Sequence, residues 1–166
     1  LRVIMAQIIA IANQKGGVAK TTTCLNLGAG LAKRGVRTLL IDSDPQGSLT
    51  RYLGYNGEQS EFSPLGDWLL GKKPFAQVAT NTPYTDLTYV PANEDLISAE
   101  AAITKDTFKA LHYLRLKIDE IRGQFDVILI DTMPSFSPLF ANALVASDQV
   151  IIPIKLEWLS VQGLAP

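Results

Sequence analysis

Short apolar runs alternate along the chain with longer segments in which apolar residues recur every three or four positions. Five runs have the length and β-branched content of strands, and most are nearly continuously apolar, as strands covered on both faces must be. These runs occupy residues 8–12, 37–41, 87–90, 126–130 and 149–154. Their alternation with helical segments predicts an α/β fold, in which a mostly parallel central sheet carries helices on both faces.

Two longer helices and one shorter helix are predicted between these strands. Residues 20–34 carry Leu27 and Leu31 four positions apart and end before Gly35, which is typical of a crossover helix. A surface helix packed on the sheet is predicted where apolar residues recur at helical spacing, at Phe108, Leu111, Leu114, Ile118 and Ile121. Residues 54–83 are rich in Gly, Pro and polar residues, and we expect them to be the variable region, with a short helix at 65–70.

Composition narrows the class of protein. With 166 residues and 47% hydrophobic content, the chain can bury one compact core, so residues 1–166 are expected to form a single domain. The 15 basic and 16 acidic residues exclude an indiscriminate attraction to nucleic acid or acidic lipid. No apolar run approaches the ~20 residues of a membrane-spanning helix, so we expect a soluble, cytoplasmic chain.

Single residues add little chemistry outside one loop. Cys24 is the only cysteine, which excludes an internal disulfide and suits a reducing compartment. His112 falls within the second predicted helix without a partner motif, so a structural or solvent role is expected. The chain opens without the features of a secretory signal, and Met5 is the expected natural start.

The chemistry concentrates in residues 13–22, between the first strand and the first helix, which read Asn-Gln-Lys-Gly-Gly-Val-Ala-Lys-Thr-Thr. A loop in that position can point successive backbone N–H groups at phosphate oxygens, with the positive end of the helix dipole facing the same anion. Gly16 and Gly17 permit the tight backbone curvature that such a loop needs. Lys20 is expected on the β- and γ-phosphates, Thr21 on magnesium and Thr22 near the α-phosphate, so the loop predicts ATP or ADP and Mg²⁺ as ligands.

The general phosphate-loop pattern G-x-x-x-x-G-K-[ST] fails at two positions, where Gln14 and Ala19 replace glycine. The variant pattern K-G-G-x-x-K-[ST], with a second early lysine, is satisfied in full from Lys15 to Thr21. On these residues the sequence resembles the ParA/MinD family of partitioning and positioning ATPases. The resemblance implies a nucleotide-binding set formed by Gln14, Lys15, Gly16, Gly17, Val18, Ala19, Lys20, Thr21 and Thr22. Family members usually carry glycine where Ala19 stands.

Carboxylates follow two of the predicted strands, at the sheet edge where ligands of α/β proteins bind. Asp42 and Asp44 lie in Ile-Asp-Ser-Asp-Pro-Gln-Gly at 41–47, whose Pro-Gln-Gly continuation favours the ParA branch. The resemblance implies that Asp44 orients or activates the attacking water and that Asp42 lies near magnesium. Both could instead be turn and helix-capping residues.

Another acidic residue, Asp131, ends the predicted strand Val-Ile-Leu-Ile-Asp at 127–131, which has the general form of a Walker B segment. Asp131 is expected to hold magnesium through water, so the predicted metal set is Thr21, Asp42 and Asp131. Residues 132–135, Thr-Met-Pro-Ser, are expected to sense the γ-phosphate, with Met133 where the family commonly has proline. Segments 91–93 and 151–153 also resemble ParA-like chains, so the resemblance spans residues 8–163.

The resemblance implies an ATP-dependent switch that closes as a homodimer around nucleotide. Lys15 would reach the partner's phosphates, and Lys15, Lys20 and Asp44 would act in slow hydrolysis, by positioning and electrostatics rather than covalent chemistry. A ParB-like adaptor would stimulate turnover, and non-specific DNA would be the track, bound by residues outside or late in this chain. The two-residue basic clusters at 34–37 and 72–73 are expected to be solvated instead.

Several alternatives stay open. They are a MinD-like membrane-associated ATPase, a scaffold that binds nucleotide without hydrolysing it, and a metabolic kinase. A relative of the nitrogenase iron protein is disfavoured, because Cys24 alone leaves no cysteine pair. Members of the family are longer, and residues 157–166 resemble the start of a helix that the family continues, so a C-terminal truncation is expected.

Overall fold

The central sheet has six strands in the order β3-β4-β2-β5-β1-β6 in a computed structural model that describes residues 5–55 and 64–155. The strands are β1 Gln7–Ile11, β2 Thr38–Ser43, β3 Thr80–Asn81, β4 Leu87–Val90, β5 Val127–Thr132 and β6 Gln149–Ile151. Every neighbouring pair is parallel except β3 and β4, which are antiparallel. The mostly parallel sheet is therefore confirmed.

Successive side chains of the central strands enter two different hydrophobic clusters, because strand residues point alternately to opposite faces of a sheet. Leu39 and Ile41 of β2 belong to one cluster, together with Ile128 and Ile130 of β5. Leu40, between the first two, belongs to the other cluster. Both faces are thus covered, which explains why these strands are apolar throughout rather than at alternate positions.

Helices cover both faces, as predicted. The helices α1 Lys20–Ala32 and α2 Ser48–Tyr52 contribute to one cluster. Within the described residues, five further α-helices contribute to the second cluster, and they are α3 Pro64–Leu69, α4 Phe75–Val78, α5 Leu96–Ile103, α6 Tyr113–Ile121 and α7 Pro138–Ala146. A Cβ atom added at Gly28 would lie 2.6 Å from Cδ2 of Leu40, so α1 packs very closely on β2. No helix among the described residues is both long and apolar enough to cross a membrane.

The predicted surface helix over 108–121 is wrong at its start, because α6 begins at Tyr113. Oδ1 of Asp106 accepts the N–H groups of Phe108 and Lys109, each at 3.1 Å, and holds the preceding segment as turns. Phe108 is therefore 93% exposed and Leu111 is 47% exposed. His112 immediately precedes the helix, whereas Leu114, Ile118 and Ile121 are buried in the core as expected.

Other predicted boundaries differ by a few residues. The helix predicted over 20–34 ends at Ala32, followed by Gly35 with a positive φ of 74°. The last strand ends at Ile151 rather than residue 154, and Pro153, which has no N–H group, lies beyond it. The short helix predicted at 65–70 is observed as α3. Residues 1–4, 56–63 of the expected variable region and the C-terminal segment 157–166 lie outside the described residues.

Candidate functional site

The ends of three adjacent strands surround a cleft of about 280 Å³. Because β2, β5 and β1 are neighbours and parallel, the segments that follow them leave the sheet at the same edge. The cleft is lined by Gly16, Gly17, Ala19, Lys20, Thr21, Thr22, Asp44, Ser48, Tyr52, Thr132 and Pro134. The fold therefore brings most of the predicted phosphate loop together with Asp44 and with the 132–135 segment.

Five residues of the predicted site do not line the cleft. They are Gln14, Lys15 and Val18 of the loop and the two metal candidates Asp42 and Asp131. Val18 is buried, and it anchors the loop in the protein interior. Ser48 and Tyr52 of α2 line the cleft without having been predicted. Their only sequence clue is their position shortly after Asp44, since a helix that begins there must pass the same edge.

The backbone of the phosphate loop contains two residues in the left-handed region. Gly17 has φ 72°, which glycine adopts without strain. Ala19 has φ 66° and ψ 32° and immediately precedes α1, and it is the one non-glycine residue with positive φ among those described. The glycine usual at this position in the family therefore has a conformational reason, and Ala19 adopts the same backbone with a Cβ atom in place.

The start of the loop is held by the side chain of Asn13. Its Oδ1 accepts the N–H of Lys15 at 2.9 Å, and its Nδ2 donates to the carbonyl oxygen of Pro153 at 2.9 Å. The carbonyl of Lys15 in turn accepts from Nζ of Lys20 at 3.5 Å. Asn13 thus joins the start of the loop to the segment after β6. At the end of the loop, the Lys20 side chain donates to the backbone of Lys15 near its start.

Lys20 places a cation in the cleft. Only 8% of the residue is exposed, and burial lowers the pKa of its ammonium while Asp131 and Asp44 raise it. A buried ammonium needs anionic neighbours. The two carboxylates supply that charge in the nucleotide-free protein, and phosphate oxygens would supply it in a complex.

Asp131 lies at the end of β5 with its side chain fully buried. Among the described residues, neither carboxylate oxygen accepts a hydrogen bond of ordinary geometry. Burial raises the pKa of Asp131 to about 7, with smaller contributions from Asp42 and Asp44, although the Thr21 hydroxyl and the Lys20 ammonium lower it. A buried carboxylate without donors is uncommon in proteins and indicates a missing partner, such as water or a cation.

These donors fit a magnesium ion that keeps several ligands from outside the protein. The Thr21 hydroxyl and the Asp131 carboxylate are hard oxygen groups, which Mg²⁺ prefers. No group of three or more His, Cys, Asp or Glu side chains among the described residues could hold a metal ion unaided. Magnesium characteristically binds through one or two carboxylates together with water and substrate phosphates. The Thr21 hydroxyl and the single Asp131 carboxylate are therefore protein ligands of the number and type that a magnesium site requires.

Asp42 is buried beneath the cleft and has several protein donors. Its Oδ2 accepts the N–H of Thr50 at 2.8 Å and the Thr50 hydroxyl at 2.6 Å, and its Oδ1 accepts the N–H of Asp44 at 3.2 Å. Burial raises the pKa of Asp42 to about 6, against the lowering effect of the Thr50 bonds. This geometry gives Asp42 the turn and helix-capping role, whereas its place near magnesium stays a prediction.

Asp44 lines the cleft and lies in a tight turn. Its Oδ1 accepts the N–H of Gln46 at 2.9 Å, and its carbonyl oxygen accepts the N–H of Gly47 at 2.8 Å. Gly47 has φ 59° and immediately precedes α2. The turn therefore fixes the backbone of Asp44, in a cleft that residues of the phosphate loop also line.

Sequence comparison identifies relatives with this site. Residues 6–166 match the family described as an AAA domain. The chain is 41% identical over 160 residues to the chromosome partitioning protein ParA of Caulobacter vibrioides, covering 95% of this chain and 59% of that protein. It is 39% identical over 161 residues to the sporulation initiation inhibitor protein Soj of Bacillus subtilis, covering 97% of this chain and 63% of that protein.

Structural comparison gives the same fold. The crystal structure of cobyrinic acid a,c-diamide synthase from Mycobacterium smegmatis, with bound ADP and magnesium, superposes with a TM-score of 0.89 at 39% identity. The match covers 96% of this chain and 64% of that one. The chain thus spans about 60% of the length of the relatives it matches.

The sheet order, the loop from Asn13 to Thr22 and the Walker B strand define a P-loop NTPase fold with a second lysine in the loop. The chain belongs to the AAA domain family, and its homologues include the ParA and Soj partitioning proteins. The resemblance to the ParA/MinD family is confirmed.

Proposed function

We propose that this chain is the nucleotide-binding part of a magnesium-dependent ATPase that acts as a switch in DNA partitioning or cargo positioning. The observation that carries the proposal is the buried Asp131 carboxylate, whose oxygens have no hydrogen-bond partner of ordinary geometry among the described residues. It interacts with Thr21 and Lys20, two residues that line the cleft. The sequence relatives named as partitioning proteins support this class of function. Fold similarity alone would not support this class of function, because the same fold occurs in a protein named as a synthase.

The phosphate loop would bind the triphosphate of ATP. Gly16, Gly17 and the first residues of α1 line the cleft, where the helix dipole favours an anion. Lys20 would bind the β- and γ-phosphates, and Thr22 would donate near the α-phosphate. Because Lys20 is largely buried, its interaction with phosphate would be screened little by solvent.

Thr21 and Asp131 would hold magnesium, with Asp131 acting through a bound water. The ion, when bound, neutralises the charge that develops on the transferred phosphoryl group. Asp44 would orient or activate the attacking water from the opposite side of the cleft. The segment containing Thr132 and Pro134 lines the same cleft and would respond to the γ-phosphate.

Lys15 has a different proposed role, because its side chain does not line the cleft of its own chain. In a homodimer closed around ATP, Lys15 of each copy would contact the phosphates bound to the other. That arrangement would add charge where it accumulates during phosphoryl transfer, as an arginine finger does. A cytoplasmic ATP-bound dimer on non-specific DNA, released by a ParB-like adaptor, would then work as the switch.

Binding and turnover should be measured separately on the purified protein. We expect Mg²⁺-dependent binding of ATP and ADP by calorimetry, weakened at least a hundredfold by Lys20→Ala. Asp44→Asn should retain binding and lower the hydrolysis rate at least tenfold. Lys72→Ala is the matched control, because Lys72 is exposed and pairs with Asp67 away from the cleft.

The outcomes separate the parts of the proposal. Absence of Mg²⁺-dependent nucleotide binding would overturn the site itself. If the protein binds nucleotide but does not hydrolyse ATP even with DNA and adaptor present, the ATPase function is excluded. The alternative of a scaffold that binds nucleotide without hydrolysing it would then stand. A dimer that forms equally well in Lys15→Ala, measured by light scattering with a non-hydrolysable ATP analogue, would exclude the role of Lys15.

A further inference from the structure

Thr50 is a buried polar residue that no step of the proposed chemistry uses. It is the third residue of α2, only 3% of it is exposed, and it does not line the cleft. Buried hydroxyl groups are expected to have hydrogen-bond partners, and those of Thr50 lie on two different segments of the chain.

The first contact runs to β2. Both the N–H and the hydroxyl of Thr50 donate to Oδ2 of Asp42, at 2.8 and 2.6 Å. The other oxygen of this carboxylate, Oδ1, accepts the backbone N–H of Asp44 at 3.2 Å. One buried carboxylate thus joins Thr50 to the backbone of Asp44, which lines the cleft.

The second contact runs to the segment that follows β4. The hydroxyl oxygen of Thr50 accepts the N–H of Ala92 at 2.9 Å. A Cβ atom added at Gly47 would lie 3.0 Å from the carbonyl oxygen of the same Ala92. The turn from Asp44 to Gly47 is therefore pressed directly against the backbone after β4, and Thr50 is the hydrogen-bonded link between them.

We propose that Thr50 is a positioning residue for Asp44, which it holds through Asp42 and through the backbone of Ala92. The inference rests on the proposed ATPase function and adds a residue to it. The Thr50 hydroxyl acts as donor and acceptor at the same time, since it donates to Asp42 and accepts from the N–H of Ala92. Without it, a buried N–H group loses its acceptor and a buried carboxylate loses a donor, so the turn carrying Asp44 would relax.

Two substitutions separate positioning from packing. Thr50→Val keeps the shape of the side chain and removes the hydroxyl, whereas Thr50→Ser keeps the hydroxyl and removes a methyl group. Ile103→Val is the control for general loss of stability, because Ile103 is fully buried in α5 on the opposite face of the sheet. For each variant, kcat, KM for ATP, ADP affinity and Tm are measured.

We expect Thr50→Val to lower kcat at least tenfold with KM and ADP affinity within twofold of the wild type. Thr50→Ser should recover kcat to within about threefold. Unchanged kcat in Thr50→Val would overturn the proposal. So would a parallel fall in kcat, ADP affinity and Tm that Ile103→Val reproduces, since that would show a purely structural role.

Hydrogen exchange provides a readout that does not depend on turnover. In the nucleotide-free protein, the amides of Asp44 and Gly47 should exchange at least tenfold faster in Thr50→Val than in the wild type or in Thr50→Ser. If the wild-type protein hydrolyses no ATP, the proposed ATPase function fails, and this measurement still decides whether Thr50 holds the turn. Equal exchange in all three proteins would refute that role.

Discussion

The side-chain amide of Asn13 donates to the carbonyl oxygen of Pro153 over 2.9 Å, and its oxygen accepts the N–H of Lys15 at the same distance. These two contacts join the first residues of the phosphate loop to the chain beyond β6. Both the nitrogen and the oxygen of the Asn13 amide form hydrogen bonds. Its removal therefore leaves the Lys15 N–H without this acceptor and the Pro153 carbonyl without this donor. The loop is therefore preorganised by a side chain that does not line the cleft.

Asn13→Ala should weaken binding of Mg²⁺ and ADP about thirtyfold, because two hydrogen bonds of about 1 kcal/mol each preorganise the loop. Calorimetric titration measures the effect. Asn26→Ala is the matched control: the Asn26 amide also donates to a backbone carbonyl, that of Thr22, but from the exposed side of α1. A similar loss of affinity in both variants would contradict the assignment to Asn13.

Ala19→Gly should raise the free energy of unfolding by roughly 0.5–1 kcal/mol, since glycine adopts the left-handed conformation of this residue without strain. The same replacement at Ala29, in the middle of α1, should lower it by roughly 0.5–1 kcal/mol, because glycine is a poor helix former. Urea denaturation of the two variants checks the opposite signs. A loss of stability in both would show that Ala19 is not strained.

Asp131→Asn should stabilise the nucleotide-free protein at pH 7 by about 1–2 kcal/mol, because burial raises the pKa of this carboxyl to about 7 and so disfavours the folded state above the unfolded pKa of ~3.9. The same change should abolish the strengthening of nucleotide binding by Mg²⁺. Stability and binding therefore move in opposite directions, which an ordinary damaging substitution does not do. Glu94→Gln, an exposed acidic site, should change neither quantity.

Asp126→Asn should lower stability at neutral pH, and the difference from the wild type should disappear in acid. Hydrogen bonds from the Arg37 side chain and backbone N–H lower the pKa of Asp126. A lowered carboxyl pKa stabilises the folded state above the unfolded pKa of ~3.9, and this contribution is lost as pH falls through the folded pKa.

The effect at Asp126 is expected to be small, because half of the Arg37 side chain is exposed and solvent screens the pair. Urea midpoints of the wild type and Asp126→Asn at pH 7 and pH 3, in low and high salt, test it. The gap should narrow at pH 3 and also at high salt. A constant gap across pH would assign the effect to packing instead of charge.

The meeting of the loop, the Asp44 turn and the 132–135 segment at one edge of the sheet was predictable because the signals for these segments are local in sequence. The loop from Asn13 to Thr22, the apolar strand before Asp131 and the Asp44 turn each carry their own pattern, and the parallel sheet brings their ends together. One missed element had a local pattern as well: Ser137 followed by Pro138 is a standard helix start, and the Ser137 oxygen accepts the N–H of Phe140 at the beginning of α7.

Other features depend on contacts that no local pattern contains. Phe108 and Leu111 match a helical period, yet the Asp106 carboxylate holds their segment as turns. The hydrogen bonds from Thr50 to Asp42, and the link from Thr50 to Ala92, require three separate segments to be in place. Ser48 and Tyr52 reach the cleft only because α2 starts directly after the Asp44 turn.

The sheet order has a consequence for how the chain is made. The phosphate loop follows β1, whose neighbours are β5 and β6, while β2 and β4 can pair with each other much earlier. During synthesis, β1 therefore has no strand partner until the chain has been extended past Val127. Ribosome-bound chains that stop short of β5 carry the complete loop sequence without the strand that supports it, so we expect nucleotide binding only from chains extended past β5.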